Sequence, residues 1–378
     1  MLTKALLHLD LTTHKLFFLK ILFVAPIPPP ITGHSLVSKC FLDFLKKQDE
    51  VKVVNLSKDS IEEGLGGRKR ILQLFNIFLT IYKAKKNVDV IYFTISESLA
   101  GNLKDILIYI ICLNKLNRIY IHLHGGSIRK LLWDKHNFIF TLNKFFLKRI
   151  AGAIVSGKSH LEIFDNVLSE SKVKIIPNFS QEYLFISESD FESKFEICNP
   201  IRLLYIGGLI EKKGYIELVK AFTELPLEIK ELFVLDIAGK FESEAAELDF
   251  FRLIKGTEGI NYYGLVDEET KKNLFFSAHV FCLPTSFLEG QPISILEAYA
   301  SGCLVLTTPQ PGILDVFENN INGFAISERT VPQIKNALIM VFSRLSEIKN
   351  IAETNRLLAY NNYKSDKYVT EVRNFLNF

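Results

Sequence analysis

Glu289 and Glu297 stand with seven residues between them in the segment Pro284-Thr285-Ser286-Phe287-Leu288-Glu289-Gly290-Gln291-Pro292-Ile293-Ser294-Ile295-Leu296-Glu297-Ala298, directly after the apolar run Val280–Leu283. Pro292 suits the first turn of a helix, where its missing N–H costs nothing. The spacing therefore places Glu289 in a loop and Glu297 inside the helix that follows. Carboxylates accept hydrogen bonds from sugar and ribose hydroxyls, and the free N–H groups of a helix start attract phosphate. A ligand rich in both, such as a nucleotide sugar, matches the pair. The plainer alternative is a loop charge and a solvated helix charge. Against it, Glu297 sits among Ile295, Leu296, Ala298 and Tyr299, where an uncompensated charge is costly to bury.

A second anion-binding pattern lies at Gly207-Gly208-Leu209-Ile210-Glu211-Lys212-Lys213-Gly214, between the run Leu203–Ile206 and a helix predicted over Tyr215–Phe222. Glycines leading into a helix expose backbone N–H groups to phosphate, and Lys213 adds a full charge. The pattern is neither a P-loop nor a dinucleotide fingerprint, and an ordinary glycine turn would read the same way. His124 ends the run Ile119–Leu123 and opens the turn Gly125-Gly126, which puts it at a strand's carboxyl end. His122 and His124 share one strand face and could pair on a metal, but no third ligand is evident, and His122 reads better as a core histidine.

The elements that must carry these residues follow from period and punctuation. Short runs rich in Ile and Val, at Ile21–Ala25, Val51–Asn55, Val90–Phe93, Ile119–Leu123, Ala153–Ser156 and Val173–Ile176, alternate with helix-length stretches such as Ser35–Lys47, Ile71–Lys86 and Leu99–Leu116. That alternation predicts buried parallel strands in a doubly wound α/β sheet. It breaks over the polar, acidic stretch Ser187–Pro200 and resumes at Leu203–Ile206, Leu232–Ala238, Ile260–Tyr263, Val280–Leu283 and Leu304–Thr307. Two lobes with a cleft between them are expected, with a boundary near residue 190. Ligands of such sheets bind beyond the carboxyl ends of the strands. The first 19 residues precede the first convincing strand and read as an extension.

Composition excludes several classes. With 48 % hydrophobic and 23 % charged residues, the chain can bury enough surface to fold. Its five cysteines make no CxxC pair and no zinc spacing, so reduced, buried thiols are expected. The longest clean apolar run, Ile106–Leu113, is too short to span a bilayer, and the apolar Leu16–Pro30 stretch lacks a cleavage site. These readings point to a cytoplasmic protein. Charge is uneven: 26 Lys and Arg face 15 Asp and Glu in residues 1–185, against 19 and 27 in residues 186–378. The basic half holds Arg68-Lys69-Arg70, Lys83, Lys85, Lys86, Lys144, Lys148 and Arg149. An anionic membrane surface is the sharper reading of that asymmetry and a solvated face the plainer one. Nucleic acid is not expected, because no reading motif accompanies the charge.

Taken together the motifs resemble retaining nucleotide-sugar glycosyltransferases of family 4, whose GT-B fold has two Rossmann-like lobes around an interlobe cleft. Glu289 and Glu297 match that family's E-x7-E motif. Pro28-Pro29-Pro30-Ile31-Thr32-Gly33 resembles its N-terminal glycine loop, His124-Gly125-Gly126 its acceptor-side motif, and Ile176-Pro177-Asn178 the element closing the first lobe. Gly207–Gly214 resembles its phosphate loop, and Gly302–Val305 and Asn322-Gly323-Phe324 the segments after the second glutamate.

The resemblance implies domains at 1–190 and 191–350, with a C-terminal helix in 351–378 packing back on the first. It implies that His124, Lys213 and Glu289 act in catalysis. Lys213 and the amides near Gly33 and Gly290–Ile293 would hold the leaving diphosphate, and Thr32, Gly207, Gly208, Gln291 and Pro292 would line the donor site. Glu289 would bind donor-sugar hydroxyls and Glu297 the ribose. With no Asp-x-Asp in the sequence, no metal or other cofactor is expected beyond the nucleotide-sugar co-substrate. Asp134 and Asp315, weighed as general bases, have no supporting neighbour in the sequence. The chain departs from the family at Gly208, where an Arg is expected, and at Thr32-Gly33 in place of paired glycines. The implied activity is transfer to a glycan or lipid-linked glycan in bacterial surface polysaccharide synthesis (O-antigen, capsule or exopolysaccharide). The competing readings are a nucleotide-sugar 2-epimerase and a non-catalytic scaffold.

Overall fold

The computed structural model describes residues 18–57, 67–196 and 199–376. The extension expected over 1–19, the side chains of Arg68-Lys69-Arg70, and Cys198 lie wholly or almost wholly outside the described residues.

Two parallel six-stranded sheets form the frame. The first has β1 (Lys20–Ala25), β2 (Glu50–Asn55), β3 (Val90–Thr94), β4 (Ile119–Leu123), β5 (Gly152–Val155) and β6 (Val173–Ile175), in the order β2-β1-β3-β4-β5-β6. The second has β7 (Ile201–Ile206), β8 (Phe233–Ala238), β9 (Ile260–Tyr262), β10 (Val280–Leu283), β11 (Leu304–Thr307) and β12 (Gly323–Ala325), in the order β12-β11-β10-β7-β8-β9. Each sheet reverses its winding once, between β1 and β3 and between β7 and β10. At such a switch point neighbouring loops diverge to opposite faces and leave a crevice. The second reversal matters most here, because it places the Gly207–Gly214 loop after β7 beside the loop after β10.

Both faces of the first sheet are covered. Leu22 and Val24 point to one core with Ile91, Phe93 and Ile121, under α2 (Gly67–Ala84), α3 (Leu99–Ile111) and α4 (Asn137–Leu147). Ile21, Phe23 and Ala25 point to the other, under α1 (Gly33–Leu45) and the C-terminal helix Ser365–Phe375. Burial on both faces is why these strands read as continuous rather than alternating apolar runs.

The polar stretch Ser187–Pro200 contains α5 (Glu188–Glu196), anchored on the second lobe by buried Phe191. From α5 the buried Lys194 ammonium donates to the carbonyls of Ser301 and Gly302, each at 2.8 Å, at the end of the helix Ile293–Ala300, where the dipole favours a cation. The chain thus enters the second lobe before residue 190, since Leu184 already lies in the second core. It returns after residue 350, because the helix Leu345–Asn362 packs on the second lobe and only the helix Ser365–Phe375 rests on α1. Finally, α3 stops at Ile111, and residues 113–118 continue in tighter turns.

Candidate active site

The crevice between β7 and β10 brings the two charged loops into contact. After β7 the chain turns at Gly214, whose φ of +79° is left-handed. A Cβ there would strike the Pro284 carbonyl of the loop after β10. Only glycine suits both conditions. The Lys212 carbonyl then accepts from the Ser286 and Phe287 amides at 2.8 and 3.2 Å. These bonds fasten the two loops and carry Lys213 to Glu289, with Nζ 3.0 Å from Oε1 and side chains 22 % and 11 % exposed. The contact is not aligned as a hydrogen bond, so Oε1 is buried beside the ammonium without a hydrogen-bond partner. Phe287 lies under the Lys213 ammonium, 5.5 Å from its ring centre.

The first lobe closes over this pair. A Cβ on Gly290 would meet the His124 carbonyl, and one on Gly126 would come within 3.2 Å of the Glu289 carbonyl. Gly33 faces the Ile293 side chain, 3.3 Å from where its own Cβ would be. His124, Gly125, Gly126 and Gly33 are therefore gathered against Glu289, Gly290 and Ile293. The helix Ile293–Ala300 begins there with no side-chain cap; Pro292 is its N-cap rather than its first-turn residue. Gly207 and Gly208 lead out of β7, and Gly208 is exposed.

Other expected contacts take a different form. Glu297 is buried, and Lys271 donates to it at 2.6 Å, so its charge is already neutralised inside the lobe. The Gln291 side chain spans the two lobes. Its carbonyl oxygen accepts from the Asn178 amide at 2.6 Å and its nitrogen donates to the Ser156 carbonyl at 3.0 Å, joining the lobes. The Thr32 hydroxyl accepts from the Ser35 amide at 3.1 Å in the capping box of α1. Asp315, left without a neighbour by the sequence, accepts from the Ser159 amide and hydroxyl at 3.0 and 2.5 Å and lies 4.0 Å from His160 Nδ1. Asp134 is a surface charge beside Arg129.

Two side chains at the site carried no signal in the sequence reading. His34, the second residue of α1, packs at a tilt against His124 with ring centres 4.1 Å apart, and His124 stacks on His122 at 4.0 Å. The Tyr92 hydroxyl bridges to His122 Nδ1 at 2.7 Å, and the three Nε2 atoms are buried without partners. Burial, reinforced by Lys104 for His34 and by His34 for His122, lowers these rings to about 4 and about 3. Burial, then His122 and His34, pushes His124 well below its ordinary value. His124 is thus a neutral hydrogen-bonding group at physiological pH. Glu97, just past β3, lies beneath Gly125 and accepts from the Ser127 amide at 2.6 Å, shaping the His124-Gly125-Gly126 turn. Burial raises its carboxyl, opposed by the Ser127 and Ile128 amides.

Among the described residues, no group of three His, Cys, Asp or Glu is placed to hold a metal ion. Two surface hollows, one beside Lys148 and Asn166 and one between Leu314–Phe317 and Tyr363, are not lined by Lys213, Glu289 or His124.

Residues 187–358 match the family described as glycosyl transferases group 1. The chain is 23 % identical over 263 residues to an uncharacterized glycosyltransferase of Methanocaldococcus jannaschii, covering 69 % of this chain and 62 % of that protein. It is 21 % identical to one of Haemophilus influenzae over 82 % of this chain and 89 % of that protein. It is 26 % identical to the amylovoran biosynthesis glycosyltransferase AmsK of Erwinia amylovora over 39 % and 36 %. The chain thus spans less than two thirds of the first and third of these relatives. In fold it is similar to Anabaena HepE, solved with UDP and glucose (TM-score 0.71, 14 % identity, 95 % of this chain and 99 % of that one). It is also similar to WaaG, a glycosyltransferase involved in lipopolysaccharide biosynthesis (TM-score 0.68, 12 % identity, 94 % and 99 %). Residues 187–358 thus match the glycosyl transferases group 1 family, and the chain that carries them has the two-lobed GT-B fold.

Proposed function

We propose that the protein is a retaining glycosyltransferase that moves a hexosyl or N-acetylhexosaminyl group from a nucleotide-diphosphate sugar to a glycan or lipid-linked glycan. The observation that carries this reading is the Lys213–Glu289 pair, held at the switch point of the second sheet and covered by His124-Gly125-Gly126. A cation, a hydroxyl-accepting carboxylate and an uncapped helix start converge at one place, which are the groups a sugar diphosphate needs. HepE binds UDP and glucose, so a UDP-sugar is the first donor to test. AmsK and WaaG act in amylovoran and lipopolysaccharide biosynthesis, which favours surface polysaccharide synthesis on the cytoplasmic side of a membrane.

In this reading the bond from the anomeric carbon to the diphosphate oxygen breaks, and the acceptor hydroxyl attacks from the same face. Its proton passes to the departing phosphate oxygen, so configuration is retained without a protein base. Lys213 and the start of the helix Ile293–Ala300 stabilise the charge that develops on the diphosphate. Glu289 orients sugar hydroxyls, and neutral His124 donates or accepts a hydrogen bond at the donor sugar. Lys213 and the helix start take the place of a divalent cation. Gly208, standing where the resemblance expects Arg, is the feature that favours a scaffold that binds nucleotide without turnover.

The test is donor consumption with a panel of UDP-, GDP- and ADP-sugars, with and without EDTA. Release of nucleoside diphosphate unaffected by EDTA is the expected result. Nucleotide binding without turnover would favour the scaffold, and activity lost to EDTA and restored by Mg²⁺ would overturn the metal-free mechanism.

A further inference from the structure

α3 is apolar on both sides. Its inner face buries Ile106, Ile108 and Tyr109 in the first lobe. Its outer face carries Leu99, Leu103, Leu107 and Ile110, each between 45 % and 51 % exposed, at the i, i+4, i+8, i+11 spacing of one helical stripe. A helix at a protein–water boundary normally places polar groups there. Its neighbours continue the surface. Asn102 and Asn143 exchange hydrogen bonds of 3.1 and 2.7 Å that tie α3 to α4, and α2 packs along the other side of α3. Phe75 on α2 is 57 % exposed and Phe138 on α4 is 73 % exposed. A contiguous apolar surface of this kind marks an interaction site.

The charge says what covers it. In the sequence of α2, α3 and α4 the one carboxylate is Asp105, which is fully buried and paired to Lys104. Among the described side chains, the exposed charges within and immediately after α2 and α4 are the cations Lys83, Lys86, Lys148 and Arg149, while the exposed Asp89 and Asp134 lie beyond the helix ends. Several lie against aromatic rings: Lys85 and Lys86 against Tyr82, and Arg149 over Phe145 at 3.9 Å. Apolar stripes bordered by cations and amphipathic rings are the composition of helices that lie in the headgroup region of a bilayer. A second copy of this chain would set like charges against each other. No helix among the described residues is long and apolar enough to cross the membrane, so this surface lies on the bilayer rather than in it.

We infer that the outer faces of α2, α3 and α4 form a docking surface for an anionic lipid bilayer, held by aliphatic insertion as well as by charge. The stripe starts at Leu99, two residues after Glu97, which supports the His124–Gly126 turn. Docking therefore sets the first-lobe side of the cleft near the lipid, where on the sugar-transfer reading the acceptor arrives. The test reads binding alone and stands apart from that reading.

The full chain is floated with phosphatidylcholine vesicles, with and without roughly one third phosphatidylglycerol. Wild type is expected to float with the anionic vesicles and to keep part of its binding in ~1 M salt, because apolar insertion is not screened. Leu103→Gln/Leu107→Gln changes only exposed positions and should lower binding by at least about tenfold with an unchanged melting midpoint. Phe75→Gln on α2 is the second variant and should act in the same direction if the first fails to fold. Absence of wild-type binding, or equal binding by the folded variants, overturns the proposal. So does a wild-type dimer in solution that the α3 variant converts to monomer, since a second copy would then own the face.

Discussion

At the scale of single residues, the chemistry rests on groups whose charge is set by what surrounds them. Lys213→Ala or Glu289→Ala removes one half of a pair that does little packing. Each variant is expected to lose at least about a thousandfold in turnover while its unfolding free energy changes by no more than about 1 kcal/mol. Near-wild-type donor consumption in either variant would remove the pair from the mechanism. The clustered histidines supply a prediction about pH. Burial lowers His34 to about 4 and His122 to about 3, so below the unfolded value near 6.5 the unfolded chain binds protons that the folded chain refuses. The stability contributed by the neutral rings is fully present above that value and drains as pH falls toward about 4. Urea titrations at about pH 7.5 and about pH 5 should show wild type losing more stability than His34→Gln, and equal losses would refute the linkage. The E-x7-E spacing and the Lys213 loop were legible in the sequence because each combines a strand end, a glycine turn and a helix start. His34 and Glu97 were not, because nothing local distinguishes a histidine that packs against another ring from one that is solvated.

At the scale of elements, the switch point between β7 and β10 turns two separate loops into one site. Gly214 is its pivot, with a left-handed φ and the Pro284 carbonyl filling the space a Cβ would take. Gly214→Ala should cost at least about 2 kcal/mol by chemical denaturation and lower activity with it. A variant within about 0.5 kcal/mol of wild type would mean that the turn relaxes without strain. Most strands lie within a residue or two of where the apolar runs predict them, since burial on both faces leaves an unbroken signal. α5 escaped the reading because its sequence offers one buried anchor, Phe191, in nine residues. Its helix is held by the second lobe rather than by its own amphipathic pattern.

At the scale of the whole molecule, closure of the lobes on each other decides which groups meet. Gln291 bonds Asn178 and Ser156 across the interface, and Asp315 takes both the amide and hydroxyl of Ser159. Asp315→Ala removes the second of these contacts without touching Lys213 or Glu289. It should raise the radius of gyration seen by solution scattering and lower kcat/KM by about tenfold, because the first-lobe residues no longer sit at a fixed distance from the donor loops. Unchanged scattering and unchanged kinetics together would show that the bond does not govern closure.

The amino-acid sequence alone determined the α/β alternation, the two-lobed plan, and the identity of the loops that face the cleft. Those properties are local: they follow from apolar period, from glycine and proline at turns, and from the few residues around each strand end. Tertiary structure decided the partners. Glu297 is neutralised by Lys271, Gln291 clasps a residue 113 positions away, Ser159 meets Asp315 across 156 positions, and the final helix returns to α1. A side chain's type states what it can bond, but the group that reaches it first, at bonding distance and out of water, is fixed only when distant segments are packed together.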